Sequence, residues 1–553
     1  MPQPARTVEW QLRDLERRKT DRTPWDRRWA AQRKHFGPDD ARFDGKKVPQ
    51  GQRDRRVTTD TYGIVAARRM SNFLYNSVIT PSASFDMGAK DIKHDQLSQE
   101  TRKWYADERD AIYADMLDLK SGLQEAVGGV CIDLKYGNAW MVTFERPGEV
   151  PFSRHAPLGC VWAAEDKYGQ ISRFYWPQEF RAEEAMVDWG KDAGPSVVEA
   201  CESEAGREKL FEFVWFCERN QNWNPHKGDR GSMRWRSGWL AVKDKHLVEE
   251  FFSHTPAFQD FRMLRTGGEM YAVGPADDCL EEIRMAQRVR AGTIGAVEKH
   301  NDPTTLVADD GVLTMTTQEA RGEIVVRADL LQSGRPPIQQ LQPYGNPQYG
   351  MELTKQIHEI IDQHFHRRLI ELPREPRMTV DQILGIQEEA ARGTAPLVLP
   401  LMVGLSGVVM RYHDLRRRDG RVAPAPDEAA KHTLQVKFTS PLAKAAMIAG
   451  VNAFLKGMEL GKSAMQLDQM TVIACDWVRG LRDTLLALGV DPALVPGIEQ
   501  LERMRKQMQE RAVKKDGIED AKNVGVAARQ MTPAAEFISK LFSANDDAGA
   551  EAA

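Results

Sequence analysis

Gly457-Met-Glu-Leu-Gly461-Lys462-Ser463 carries the residue types of a phosphate-cradling loop, but three residues separate its glycines where the pattern needs four. It also follows a helical pattern, not a strand, so its backbone amides would not form the required nest. His358, Asp362 and His366 stand at successive four-residue steps, which puts them on one face of a helix at a spacing able to hold a metal. On a long charged helix the two histidines read more simply as a solvated or interface feature, and no metal or other cofactor is expected. Cys131, Cys160, Cys201, Cys217, Cys279 and Cys475 lie far apart without a CxxC unit. That spacing indicates neither a zinc site nor a disulfide framework, and the thiols are expected to be reduced and mostly in the core. The sequence has no Gly-x-Ser-x-Gly elbow, no HExxH and no dinucleotide fingerprint. No catalytic residue is assigned, and the chain is not expected to be an enzyme.

Aromatic and basic runs have plainer readings. Phe211-x-Phe213-x-Trp215 and the stretch from Trp235 to Trp239 alternate as a half-buried sheet face does, in preference to a base-stacking platform. The N-terminal basic clusters, Arg17-Arg18-Lys19, Arg27-Arg28, Lys46-Lys47 and Arg53-x-Arg55-Arg56, read as a solvated helix face. Over all 553 residues the net charge is −4 and 28% of residues are charged, which argues against a sticky nucleic-acid binder. A near-neutral chain is still compatible with a conduit that must not hold its cargo.

The elements that would position any site are mostly helical. Gly274-Pro275 starts a helix whose first turns carry Asp277, Asp278, Glu281 and Glu282, suited to the exposed amide dipoles. Its stripe of Leu280, Ile283, Ala286, Val289, Ile294 and Val297 runs to Lys299-His300, and Asn301-Asp302-Pro303 stops it. A second helix from Tyr349 to Leu372 has its stripe at Met351, Leu353, Ile357, Ile360, Ile361, Phe365, Leu369 and Ile370. Each would be about 35–40 Å long at 1.5 Å per residue. The pair reads either as a stalk carrying a small domain at its tip or as an antiparallel pair inside a globular core, and periodicity leaves both open.

In chain order, Thr23-Pro24 is read as starting a helix with Trp25, Trp29 and Phe36 on its apolar side, ended by Gly37-Pro38. Helices follow at Thr61–Ile79, with Ile64, Val65, Phe73, Leu74 and Val78 toward a core, and at Leu97–Leu119; a third leads into Tyr136-Gly137-Asn138. Strands are expected at 139–144, 161–162, 171–176, 210–218, 234–242 and 434–438. Residues 380–419 form a helical stretch, bent or broken near 393–400. Within it the uncharged run Thr394–Met410 falls short of a membrane span and reads as a buried helix, so no membrane is expected. Helices at 442–459, 464–488 and 498–513 precede an Ala-rich tail expected to be disordered. The first sixty residues lack an apolar targeting segment, which places the protein's synthesis in a cytoplasm.

Taken in order, these segments resemble the head-to-tail connecting (portal) proteins of short-tailed, podovirus-like bacteriophages over residues 20–515. The likeness is carried by Thr58-Thr59-Asp60-Thr61, Ala66-Ala67-Arg68-Arg69-Met70, Ile79-Thr80-Pro81 with Phe85, and Leu134-Lys135-Tyr136-Gly137-Asn138-Ala139. Its strongest part is Gly268-Glu269-Met270-Tyr271-Ala272-Val273-Gly274-Pro275-Ala276, continuing to Asp302-Pro303, Leu306-Val307 and Asp309-Asp310-Gly311. The family's Tyr-Gly-Arg-Gly-Pro has Ala272-Val273 in place of Gly-Arg here, so no role of that arginine carries over. Met378-Thr379-Val380-Asp381-Gln382-Ile383, Glu388-Glu389 and Ser440-Pro441-Leu442-Ala443 complete the series.

The resemblance implies an α+β, mostly helical, portal-type subunit with wing, two-helix stem, small β-containing clip and helical C-terminal crown. On that mapping 1–270 is the N-terminal wing, helical then α+β, 271–300 the first stem helix, 301–348 the clip and 349–371 the second stem helix. Residues 372–378 are the tunnel loop, 379–440 the long wing helix and strand, 441–530 the crown and 531–553 the disordered tail. The implied protein is a virion component at the capsid portal vertex, assembled in the host cytoplasm as a dodecameric ring. Its partners would be double-stranded DNA in the channel, the terminase large subunit, major capsid and scaffolding proteins, and tail adaptor proteins. Arg327 and Arg335 would lie in the clip's docking surface. Arg374 and Arg377, in Leu372-Pro373-Arg374-Glu375-Pro376-Arg377-Met378, would face the channel and meet phosphates without base preference. The plainer reading pairs them with Glu371 or Glu375. Another head-tail adaptor or capsid ring, or a cytosolic enzyme with an unreadable site, are the alternatives.

Overall fold

The computed structural model describes residues 6–43, 58–78, 85–92, 97–227, 229–301, 305–307, 338–340, 347–367, 380–438 and 480–481. The chain divides into two units, residues 1–92 with 100–449 and residues 93–99 with 450–553, and the described elements fall almost entirely in the first. The expected helices at 442–459, 464–488 and 498–513, the phosphate-loop look-alike at 457–463, the acidic tail and Cys475 lie outside the described residues, apart from 480 and 481.

Helix α1 (Val8–Phe36) starts where the Thr7 hydroxyl accepts the Trp10 amide at 3.3 Å. Thr23-Pro24 was expected to begin this helix, but Pro24 lies inside it. The proline removes one backbone donor, and the helix continues because tertiary contacts anchor it on both sides of that point. Leu15 is buried in a sheet core before the proline, and Trp29 and Phe36 are buried after it. Arg17, Arg27 and Arg28 are exposed, as a solvated face requires, whereas Arg22 and Arg33 are buried. Arg22 donates to the carbonyls of Leu158 at 3.0 Å and Gly159 at 3.2 Å and lies over the Trp162 ring.

Helix α2 (Tyr62–Val78) buries Ile64, Leu74 and Val78, while Val65, expected inside, is exposed. Strand β1 (Phe85–Ala89), helix α3 (Gln99–Leu117) and helix α4 (Leu123–Asp133) lead through a single 3-10 turn, Leu134–Tyr136, into β2 (Asn138–Phe144). Strand β3 (Phe152–Ala156) pairs with β2, followed by β4 (Trp162–Glu165) and β5 (Ile171–Arg181). Short helices α5 (Ala182–Trp189), α6 (Pro195–Cys201) and α7 (Glu204–Arg207) precede β6 (Leu210–Arg219), β7 (Trp235–Ala241), β8 (His246–Ser253) and β9 (Phe258–Arg262).

Strands β4 to β8 form an antiparallel sheet in sequence order, and β3-β2-β9 form a second antiparallel sheet. The aromatic alternation of β6 was expected to mark a half-buried face; it does so at Leu210–Phe213, where Leu210 and Glu212 are exposed, but both faces are buried from Val214 to Glu218. Trp215 packs on Phe174 and on Phe144 of β2, with ring centroids 5.8 and 5.5 Å apart. On the other face Val214 and Phe216 join Tyr175, Leu240 and Leu15 of α1 in one core. The N-terminal helix thus supplies the second cover, which strand periodicity cannot reveal.

The first unit ends with a 39-residue helix, Val380–Arg418, then Asp427–Lys431 and the strand Leu434–Phe438. The long helix was expected to bend or break near 393–400; it does not break there, and Pro396 and Pro400 lie inside it. One stripe, Leu397, Leu401, Leu405, Val408, Tyr412 and Leu415, is buried, while Leu399 and Val403 are 60% and 63% exposed. The expected buried helix is therefore covered on one side only. It is long and apolar enough to cross a membrane by length and composition. Its glycines mark the covered side: a Cβ on Gly404 would lie 2.3 Å from the Phe261 ring, and one on Gly407 would lie 2.1 Å from Gln259 Oε1. Leu434–Phe438 pairs antiparallel with β1, joining segments about 350 residues apart. Among the described cysteines, Cys131, Cys217 and Cys279 are free and buried, Cys201 is free and partly buried, and Cys160 is partly buried. Burial pushes the Cys131 and Cys217 thiols up to about 12, which leaves them unreactive.

Candidate functional site

Gly274-Pro275 begins α8 (Pro275–Asp278), with the proline at a position where its missing N–H is no loss. The expected continuous helix is interrupted at Cys279 (φ −113°, ψ 24°), whose thiol donates to the Pro275 carbonyl at 3.1 Å. Helix α9 (Leu280–Asn301) then runs to a short strand, β10 (Thr305–Val307), which pairs antiparallel with β11 (Ile338–Gln340) ahead of helix α10 (Pro347–His364). A Cβ on Gly350 would lie 2.2 Å from the Thr293 hydroxyl, and Gln287 and His358 converge on Asp60, so α9 and α10 run antiparallel in close contact.

The start of this helix pair is locked to the sheet by the two motifs that carried the sequence resemblance. The Asn138 side chain donates to the Ala272 carbonyl at 2.8 Å and accepts the Ala272 amide at 2.9 Å. Gly137 (φ 92°) and Gly274 meet backbone to backbone: a Cβ on Gly274 would lie 2.3 Å from the Gly137 nitrogen. Only glycine permits that approach.

A polar junction ties both helices to the start of α2. The Gln287 amide oxygen accepts from Thr59 N at 2.8 Å and Asp60 N at 2.9 Å, and its nitrogen donates to the Asp60 carbonyl at 2.6 Å. Asp60 accepts the Tyr62 amide at 2.8 Å and lies 2.7 Å from His358 Nε2, while the Tyr62 ring stacks on His358 with centroids 3.9 Å apart. Burial pushes the Asp60 carboxyl up, but the bonds from His358 and from the Tyr62 amide outweigh it and hold the group below its ordinary range. The Tyr62 hydroxyl donates to Asp362 at 2.6 Å, and Arg367 donates to the same carboxylate at 2.7 Å.

Helix α10 ends at His364, where the helix was expected to continue to Leu372. Phe365 is buried against Phe36, and His366 takes a left-handed backbone (φ 54°), so His366 leaves the face of His358 and Asp362. The metal-capable spacing is thereby lost, and no cluster of three metal-ligating side chains occurs among the described residues. Arg327, Arg335, Arg374 and Arg377 lie outside the described residues, as does the loop 372–378. Thr59 and Asp60 stood in a stretch the sequence singled out. Gln287 had no such signal, because a glutamine on an apolar stripe looks like an exposed interruption.

Among the described residues the helix pair is covered unevenly. Ile283, Ala286, Ile357, Ile361 and Phe365 are buried. At 100° per residue Ile294 and Val297 fall on the same face of α9 as Ile283 and Ala286, yet they are 41% and 39% exposed. Tyr349, Leu353 and Ile360 share one face of α10 and are 77%, 42% and 41% exposed. The buried residues fit the reading of a helix pair inside a core, and the small domain expected at the tip falls on 301–348, almost all of which lies outside the described residues.

A family model described as "Bacteriophage head to tail connecting protein" matches residues 12–495. Among curated proteins there is no match. Of solved structures, a chain of "Virion of native gene transfer agent (GTA) particle" is similar at 9% identity and TM-score 0.38, covering 78% of this chain and 88% of that one. A chain of "Neck of empty GTA particle computed with C6 symmetry" is similar at 12% identity and TM-score 0.37, covering 74% and 92%.

Proposed function

This chain belongs to the family of bacteriophage head-to-tail connecting proteins, and we propose that it is the portal: a closed ring at one capsid vertex through which DNA enters and leaves. The observation that supports a ring is the apolar stripe of α9 and α10, which continues past the point where the chain's own residues cover it. A neighbouring copy related by rotation covers such a stripe through a heterologous interface that closes. Twelve subunits follow from the family resemblance. On this reading 301–348 is the clip, with Arg327 and Arg335 on the surface that docks the terminase large subunit and later the tail adaptor proteins. The wing and crown meet major capsid and scaffolding proteins. The chain itself hydrolyses nothing, since the packaging ATPase is the separate terminase.

Electron microscopy of the purified full-length protein tests the reading. A large ring with an open axial channel is expected; a thin, small ring would indicate an adaptor, and a compact monomer would overturn assembly altogether. The channel assignment has its own test in Arg374 and Arg377, which would repeat round the ring as a positive collar held by Pro373 and Pro376. Replacing both by alanine is expected to leave ring assembly intact and to reduce packaged DNA or its retention in the head. Full-length DNA packaged and retained at the parent's level would reassign the two arginines to local ion pairs.

A further inference from the structure

His35, near the C-terminal end of α1, and His366, in the turn that ends α10, flank a single aromatic contact, Phe36 on Phe365, with ring centroids 5.7 Å apart. Both phenylalanines are buried. Nδ1 of His35 is enclosed without a hydrogen-bond partner. The His366 backbone holds a left-handed φ of 54°, which a histidine keeps only while its surroundings impose it. The charges acting on the two rings are cationic: Arg284 of α9 and Lys34 of α1 on His35, and His364 on His366. Nearby carboxylates are engaged elsewhere. Glu281 pairs with Arg284, Asp362 with Tyr62 and Arg367, Asp60 with His358, and Asp278 faces His364.

We infer that this contact is an acid-sensitive hinge: charging His35 and His366 separates Phe365 from Phe36 and frees the end of α10 from α1. Burial, reinforced by the neighbouring cations, holds both imidazoles below the ordinary histidine range. The sign follows from linkage. A base whose value is depressed in the docked state contributes stability above its free value, about 6.5, and that stability is lost as pH falls through and below it. The contact lies within one chain, between α1 and the end of α10.

Hydrogen exchange of the full-length protein, followed on peptides spanning 359–367 and corrected for intrinsic rates, reads the opening directly. Between about pH 8 and about pH 5.5 these peptides are expected to lose protection, because both imidazoles bind a proton more weakly docked than free. His366→Asn, whose short amide tolerates a left-handed backbone, combined with His35→Leu, is expected to abolish that response while keeping protection near pH 8. Unchanged protection in the parent, or a full acid response in the double variant, overturns the inference. Should the double variant fold poorly, exchange at the imidazole C2 positions of the parent titrates both rings. Values below about 6.5 are expected, and a value at or above it for either ring overturns the hinge.

Discussion

Gly137→Ala is expected to cost about 2–4 kcal/mol, combining left-handed strain with overpacking against atoms that cannot rotate away. At φ 92° the added Cβ would lie 2.6 Å from the Ala272 oxygen and 2.7 Å from the Gly274 nitrogen, both backbone atoms. The two Asn138–Ala272 hydrogen bonds hold those strands of backbone together, so separation to admit a methyl group would break them as well. The lost contact is the one that orients α8 and α9 on the 3-10 turn ahead of β2, which makes assembly as well as stability vulnerable. Gly148 is the matched control: its φ is 76°, but nothing lies within 4 Å of its would-be Cβ. Thermal unfolding and soluble yield should fall sharply for Gly137→Ala and only slightly for Gly148→Ala. Equal melting of the two variants would mean that the close approach between Gly137 and Gly274 carries no weight.

Leu353→Glu combined with Ile360→Glu is expected to convert the assembled protein into monomers or short oligomers. Both side chains are about two-fifths exposed in the single chain, so the subunit can accept the carboxylates. An interface that buries them cannot, because an unpaired buried charge costs several kcal/mol. A penalty of about 3 kcal/mol per contact weakens association roughly a hundredfold, and it recurs at every interface of a ring. Native mass spectrometry across a range of concentration and salt measures the outcome, with far-ultraviolet circular dichroism reporting that the fold is kept. Rings formed by the double variant as readily as by the parent would remove the α9 and α10 stripe from the interface.

Much of the architecture was legible locally. The stripes of α2, α3 and α9 and the β-branched and aromatic runs of β5, β6 and β7 announce their elements, because burial on one helix face or on a sheet imposes a period on the chain itself. Gly137 and Gly274 were visible as motif residues for a related reason: each adjoins a turn or a helix start whose local chemistry favours glycine. That they touch each other was invisible, since nothing in either motif encodes its distance from the other. Helix ends misled most. Pro24 looked like a start and 393–400 like a bend or a break, yet both helices run on through their prolines, each of which removes a single backbone donor.

What the sequence determined alone is what neighbouring residues impose on one another: helical or extended backbone, the apolar face of each element, the absence of catalytic and cysteine-pair motifs, and the family resemblance carried by short runs. Only the tertiary structure decided what covers each face. Leu15 of α1 closes the second side of a sheet whose strands lie well over a hundred residues away, and Gln287 bonds to Thr59 and Asp60 across more than two hundred. It also decided that α10 is interrupted after His364, where Phe365 is buried against Phe36 and His366 takes a left-handed backbone. The stripe on α9 reads as uniform along the sequence, yet it is buried at Ile283 and open at Ile294, since periodicity records which residues avoid water and not which partner keeps water away.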